Sequence, residues 1–241
     1  MAGGIYSALS GLQARAIRLD RVAEDIGNVG TTAYKGGRHT TMVSERAKFS
    51  ATLDSAVDVV VAPSSSDLRA GDVAPTGRDL DLAIEGPGYF KIQTPGGGAG
   101  YTRNGHFTRR VDGTLTTSDG SAVLADGDTV TLPAGQVQIG IDGTIRVAGK
   151  AVGQLDVVEF DDPSRLVREN GVRFGAPEDL VSAPATSSSV RSGMLEGSNV
   201  SLPERIVQMT EISRGFEALQ RGISVLMNDI DGKAITELGR R

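Results

Sequence analysis

The sequence predicts an α+β chain: N- and C-terminal heptad helices forming a coiled-coil-like pair, and a central all-β domain of short hairpin-connected strands. Three observations predict it. Apolar residues recur in alternating steps of four and three near both ends. Asp-Gly and Asn-Gly pairs recur between short apolar runs in the middle. Glycine is abundant, 32 of 241 residues, about 13% against an average near 7%, whereas aromatics make up only 4%. Many turns and thin sheets suit that composition better than a deep aromatic-lined pocket.

Residues 1–35 read as a helix and turn. Over about 4–28 the stripe is Ile5, Leu9, Leu12, Ala16, Leu19, Ala23 and Ile26. Gln13, Arg15, Arg18, Arg21 and Glu24 occupy the other face, and Gly27, Asn28 and Gly30 supply the stop. Such a helix spans roughly 36 Å at 1.5 Å per residue. Residues 36–79 read as linker and extended arm, with Gly36-Gly37, Pro63 and a serine run, and with Val57–Ala62 as a short strand.

Residues 80–175 form the all-β domain. Leu80, Leu82 and Ile84 alternate with Asp79, Asp81 and Glu85, so the carboxylates read as the wet face of a strand. Further strands are expected at 89–93, 100–108, 114–117, 129–132, 136–141, 144–147 and 154–160. Between them fall Asn104-Gly105, Asp112-Gly113, Asp119-Gly120, Asp126-Gly127 and Asp142-Gly143, expected as hairpin turns. Residues 176–200 read as a return arm, extended over 190–195.

Residues 201–241 carry the second helix. Ser201-Leu202-Pro203-Glu204 reads as a capping box with proline in the first turn. The main stripe includes Leu202, Ile206, Met209, Phe216, Ile223 and Ile230, and a second stripe adds Ile212, Leu219 and Leu226. The apolar face is wider than a two-stranded seam needs, so the helix is expected to touch more than one neighbour. The expected subunit-interface residues are therefore Ile5, Leu9, Leu12, Leu19 and Ile26 with Leu202, Ile206, Met209, Ile212, Phe216, Leu219, Ile223, Leu226 and Ile230. A heptad alone leaves open whether its partner lies in the same chain or another.

Composition excludes much chemistry. With no cysteine there is no disulfide, thiol nucleophile or cysteine–metal site. Two histidines, His39 and His106, leave little for a metal centre or acid–base catalysis, and each reads as isolated and solvated. A net charge of −5 argues against nucleic-acid binding, and no apolar run approaches the roughly 20 residues of a membrane helix. The glycine run Pro95–Gly100 fits neither nucleotide-binding motif. No cofactor, metal or catalytic residue is expected. The N-terminus shows no basic region followed by an apolar stretch, so a cleaved secretion signal is not expected.

A series of segments resembles the axial proteins of the bacterial flagellum, the rod and hook family. They are Ile26–Lys35, Leu82–Phe90, Tyr101–Phe107, Asp112–Leu115, Asp142–Ile145, Val152–Leu155, Gly193–Val200 and Arg214–Glu217. The match is in order and covers nearly the whole chain. It departs from the family pattern at Tyr34, where Phe is usual, and at Gly27. The proximal-rod type is the nearer match, with the distal-rod type its sibling. The resemblance implies a structural, non-enzymatic subunit of the basal-body rod, exported through the flagellar type III apparatus and placed in the periplasmic part of the flagellum. Its implied partners are other rod subunits and copies of itself, with no nucleic acid and no membrane insertion. The terminal helices would form the inner tube, with the β domain outside it, and the assembly would transmit torque. A secreted β-domain binding protein with a coiled-coil oligomerisation stalk is the alternative from another class, and a wall hydrolase the third.

Overall fold

A computed structural model describes residues 2–38 and 65–238 of the chain, with side chains over 11–38 and 65–225. The expected strand Val57–Ala62 lies outside the described residues, as do the side chains of Ile5, Leu9, Leu226 and Ile230. The chain divides into two compact units, one holding the terminal helices and one comprising residues 28–38 and 65–200.

In the helical unit, α1 spans Ala2–Gly27 and α2 spans Leu202–Leu238. Three contacts fix the direction of pairing. Asp25 Oδ2 lies 3.1 Å from Arg205 Nε, Gly11 faces Leu219, and Gly215 faces the Arg15 guanidinium. As the position rises along α1 it falls along α2, so the helices pack antiparallel. From Gly11 to Asp25 the shared length is about 21 Å. Proline at 203 fits the first turn of α2, where its missing N–H costs nothing, and the Ser201 carbonyl accepts from Arg205 N at 3.1 Å. Glu204 sits in that turn, where the helix dipole favours a carboxylate. Among the described residues no helix is long and apolar enough to cross a membrane.

The second unit is built of antiparallel strands. In its largest sheet the strands run 167–170, 173–175, 99–102, 89–93, 122–125, 115–116 and 108–109, with 157–160 also beside 89–93. Smaller sheets join 137–139, 144–147 and 150–154, and place 81–85 between 189–192 and 105–106. The segments expected as arms also contribute strands: 73–75 pairs with 194–196, and 37–38 with 65–66.

The Asp-Gly pairs act largely as expected. Gly113, Gly120, Gly127 and Gly143 all have positive φ, and Asp126 joins Gly127 there to give the mirror-image turn that two-residue hairpins prefer. Asn104-Gly105 is different. Gly105 lies within a strand, in register with Leu82. A Cβ at this position would stand 1.8 Å from the Leu82 carbonyl oxygen. Glycine is needed there for close approach of two backbones, not for a turn. Gly105→Ala is expected to lower stability by about 3 kcal/mol or more, because the obstacle is backbone that cannot rotate away. Urea unfolding followed by circular dichroism measures it; an unchanged midpoint would refute this packing.

Two apolar clusters form the core. One gathers Leu82, Ile84, Phe90, Ile92, Phe107, Leu115, Val123, Ile145 and Val190, with Phe90 and Phe107 edge to face at 5.1 Å. The other gathers Tyr89, Tyr101, Phe160, Leu166 and Phe174. Six aromatic rings meet in these two clusters, where a fully buried large side chain stabilises by about 1.5–3 kcal/mol. The strand Asp81–Glu85 is buried on both faces up to Ile84. Asp81 is therefore not on a wet face: its carboxylate lies 2.8 Å from His106 Nδ1, and that histidine is neither isolated nor in a turn.

Candidate assembly interface

The β unit contains a buried ionic cluster built from three distant segments. Lys35 follows the turn after α1, Arg103 lies after the strand Ala99–Thr102, and Glu196 closes the strand Met194–Glu196. All three side chains are almost wholly buried. Glu196 Oε1 accepts from Lys35 Nζ and, at 3.0 Å, from the backbone N–H of Gly71; Oε2 accepts from Arg103 Nε at 2.8 Å. Both cations also donate to backbone carbonyls. Lys35 Nζ donates to the Arg69 carbonyl at 2.7 Å. Arg103 donates to the carbonyls of Ile84, Gly86 and Gly88 at 2.8–3.0 Å, and its guanidinium lies 5.7 Å from the Tyr89 ring centroid.

Burial by itself pushes the Glu196 carboxyl up. The charges of Arg103 and Lys35, with hydrogen bonds from Lys35 and Gly71, outweigh it and hold the group below the ordinary carboxylate range. At Lys35 the balance runs the other way, since burial draws the ammonium below its usual value against the pull of Glu196. One carboxylate with two cations is the ionised anchor of the cluster. Its folded-state value is depressed, so its stabilisation is fully present above the unfolded carboxyl's ordinary value. It is lost as pH falls through the lower folded value.

Neighbouring bonds extend the junction. Ala33 N donates to Glu196 O at 2.8 Å, with Ala33 at φ +56° and fully buried. Asn199 Oδ1 accepts from Gly36 N at 2.8 Å, and its Nδ2 donates to the carbonyls of Asp67 and Arg69. Arg168 donates to the Lys35 carbonyl and lies 4.6 Å from the Tyr34 ring centroid. The segments that follow α1 and precede α2 in the chain are therefore fastened to each other and to the β core.

In the helical unit, Leu12, Leu19 and Ile26 are half-buried, and Val22, absent from the expected stripe, is fully buried. Ala16 and Ala23 are exposed, so the inward line passes one residue to the side, through Arg15 and Val22. On α2, Ile212 is buried and Met209, Phe216, Leu219 and Ile223 are half-buried. Leu202, Ile206, Val207 and Val225 stay exposed, at 39%, 51%, 59% and 68%. The apolar surface of α2 is broader than α1 covers.

Two family models match the sequence. Residues 83–147 match the flagellar hook protein FlgE/F/G D1 domain, and residues 191–235 match the flagellar basal body rod FlgEFG protein C-terminal region. The chain is 32% identical to the flagellar basal-body rod protein FlgF of Caulobacter vibrioides, over 100% of this chain and 99% of that one. The chain belongs to the flagellar basal-body rod protein family. It is also 32% identical to FlgF of Rhizobium meliloti over 99% of both chains, and 33% identical to the rod protein FlgG of Bacillus subtilis over 90% of this chain and 92% of that one.

For a rod-family chain the ionic cluster has a particular placement. Arg103 lies in the first matched region and Glu196 in the second, while Lys35 lies in neither. The motifs of the sequence resemblance meet there: the Tyr34-Lys35 turn, the Tyr101–Phe107 segment and the Gly193–Val200 segment. Sequence reasoning named these motifs but not the cluster. A single lysine directly after buried-type residues and before Gly36-Gly37 was the one local sign of burial.

Proposed function

We propose that the chain is a structural subunit of the flagellar basal-body rod, of the proximal-rod FlgF type, which polymerises through its terminal helices and transmits torque for motility. The observation that carries this reading is the uncovered apolar surface of α2. Ile206, Val207 and Val225 face outward although α1 covers the Ile212 side, and a helix face left apolar is suited to further helices from other subunits. Open helical assembly follows when such contacts are heterologous and do not close into a ring. The FlgF relatives that align over nearly full length support the proximal type. The distal FlgG type is the second reading, favoured by the 33% identity to the Bacillus subtilis protein.

Several finer statements belong to the same proposal. The helices form heptad seams of coiled-coil type, and Ile5, Leu9, Leu12, Leu19, Ile26, Leu202, Ile206, Met209, Ile212, Phe216, Leu219, Ile223, Leu226 and Ile230 mediate assembly. The chain is organised as a helix and turn over 1–35, an arm over 36–79, a β domain over 80–175, a return arm over 176–200 and a helix over 201–241. It leaves the cell by the flagellar type III route, occupies the periplasmic rod, and has no catalytic activity.

Ile206→Asp tests the outward face. Because Ile206 is half exposed in the single chain, the substitution is expected to leave the monomer folded. Incorporation into isolated basal bodies should fall at least tenfold, and swimming should be lost. Wild-type swimming in this variant would remove the outward apolar face from the mechanism.

A further inference from the structure

The extended segment Asp128–Leu132 of the β unit runs between two features of opposite chemistry. At its C-terminal end Leu132 N donates to the Gly113 carbonyl at 2.8 Å and Thr131 bridges Thr114, which sets the hairpin tip Arg110–Gly113 beside it. At its N-terminal end Asp128 pairs with Ala125 across the Asp126-Gly127 turn. Four steps of about 3.3 Å separate the two ends by about 13 Å.

The tip is basic and apolar. Val111 is fully exposed, and Arg109 and Arg110 are exposed beside it, neither in an ion pair among the described residues. The turn is held by Gly113 N donating to Arg110 O at 3.0 Å. The Asp112 carboxylate is folded back to accept from Thr114 N at 3.0 Å. A tip fixed in this way loses little conformational freedom on docking.

At the other end opens a cleft of about 430 Å³ whose lining includes Ile141, Val158, Lys91, Asp126, Asp142 and Asp156. Ile141 is 75% exposed. The three carboxylates are anchored by hydrogen bonds from the protein: Asp126 from Gln154 N, Asp142 from Thr144 N and Oγ1, and Asp156 from Gly127 N. None is in an ion pair among the described residues, and Lys91 is the one cation against them in the lining.

We propose that the Arg109–Gly113 tip of one copy docks into the Asp126/Asp142/Asp156 cleft of a second copy. Val111 then packs against Ile141 and Val158, while the two guanidiniums meet the carboxylates. Charge complementarity selects this occupant. Tip and cleft lie at different ends of one segment, so the contact is head to tail, the heterologous kind from which an open assembly is built. The inference rests on the rod-subunit reading and adds to it a contact that the helices do not make.

The absence of cysteine from the chain makes a clean test available. A disulfide needs Cα atoms within about 7 Å, so the double variant V111C/I141C should not bridge within one chain. In mildly oxidised basal bodies it should give a ladder of covalent multimers of this chain, with each single variant remaining monomeric. R109E/R110E in the same background should reduce the ladder at least tenfold, and added D126R/D142R should restore it. An incorporated double variant that stays uncross-linked overturns the proposal. So do a V111C homodimer, an internal bridge, an adduct with a different protein, or failure of the charge-swapped variant to recover. If the wild-type chain itself is missing from basal bodies, the rod reading fails first, a result distinct from an incorporated but uncross-linked variant.

Discussion

Glu196→Gln is expected to destabilise the β unit by about 3–5 kcal/mol, the usual cost of removing one partner from a buried ion pair. The amide keeps the shape of the side chain but leaves Lys35 and Arg103 buried without a countercharge. Both are almost fully enclosed, so water cannot replace the lost carboxylate. Urea unfolding at neutral pH gives the size of the effect. The pH dependence gives its origin: the wild-type chain loses stability as the pH falls through the depressed value of Glu196, and that contribution is missing in the variant. A variant as stable as wild type, with an unchanged acid limb, would contradict the cluster.

Ile212→Asp is expected to separate the helix pair and abolish swimming. Ile212 is the most enclosed of the expected interface residues with described side chains, at 7% exposure. A carboxylate there enters an apolar contact, at a cost of about 3 kcal/mol or more. Helicity at 222 nm should fall while the near-ultraviolet signal of the aromatic cluster around Tyr89 and Phe160 persists, because those rings belong to the other unit. Ile212→Val, which removes one methylene at about 1 kcal/mol, should retain swimming. Equal loss in both variants would assign the effect to something other than burial of charge.

The two units differ in how far they could be read without coordinates. The helices were legible because their signal is local: spacing of three and four along one segment is enough to place a face. Even so, the line along α1 runs through Val22 and not Ala23, since alanine at a heptad position marks a face only weakly. The Asp-Gly turns were legible for the same reason, each depending on two adjacent residues. The strand Ala122–Ala125 was not expected, because a four-residue run with two alanines has no period of two to report. Its place in the sheet comes from partners at 92–93 and 116.

The sequence by itself determined the helix–β–helix order, the four Asp-Gly turns, the lack of any thiol or histidine-rich centre, and the motif series of the rod family. Only the tertiary structure decided that Lys35, Arg103 and Glu196 form one buried cluster, that Asp81 faces His106, and that Gly105 serves close backbone approach. The physical reason is range. Propensity and periodicity act between residues a few positions apart, whereas a buried charge is tolerated only beside partners that folding brings from 93 and 161 positions away.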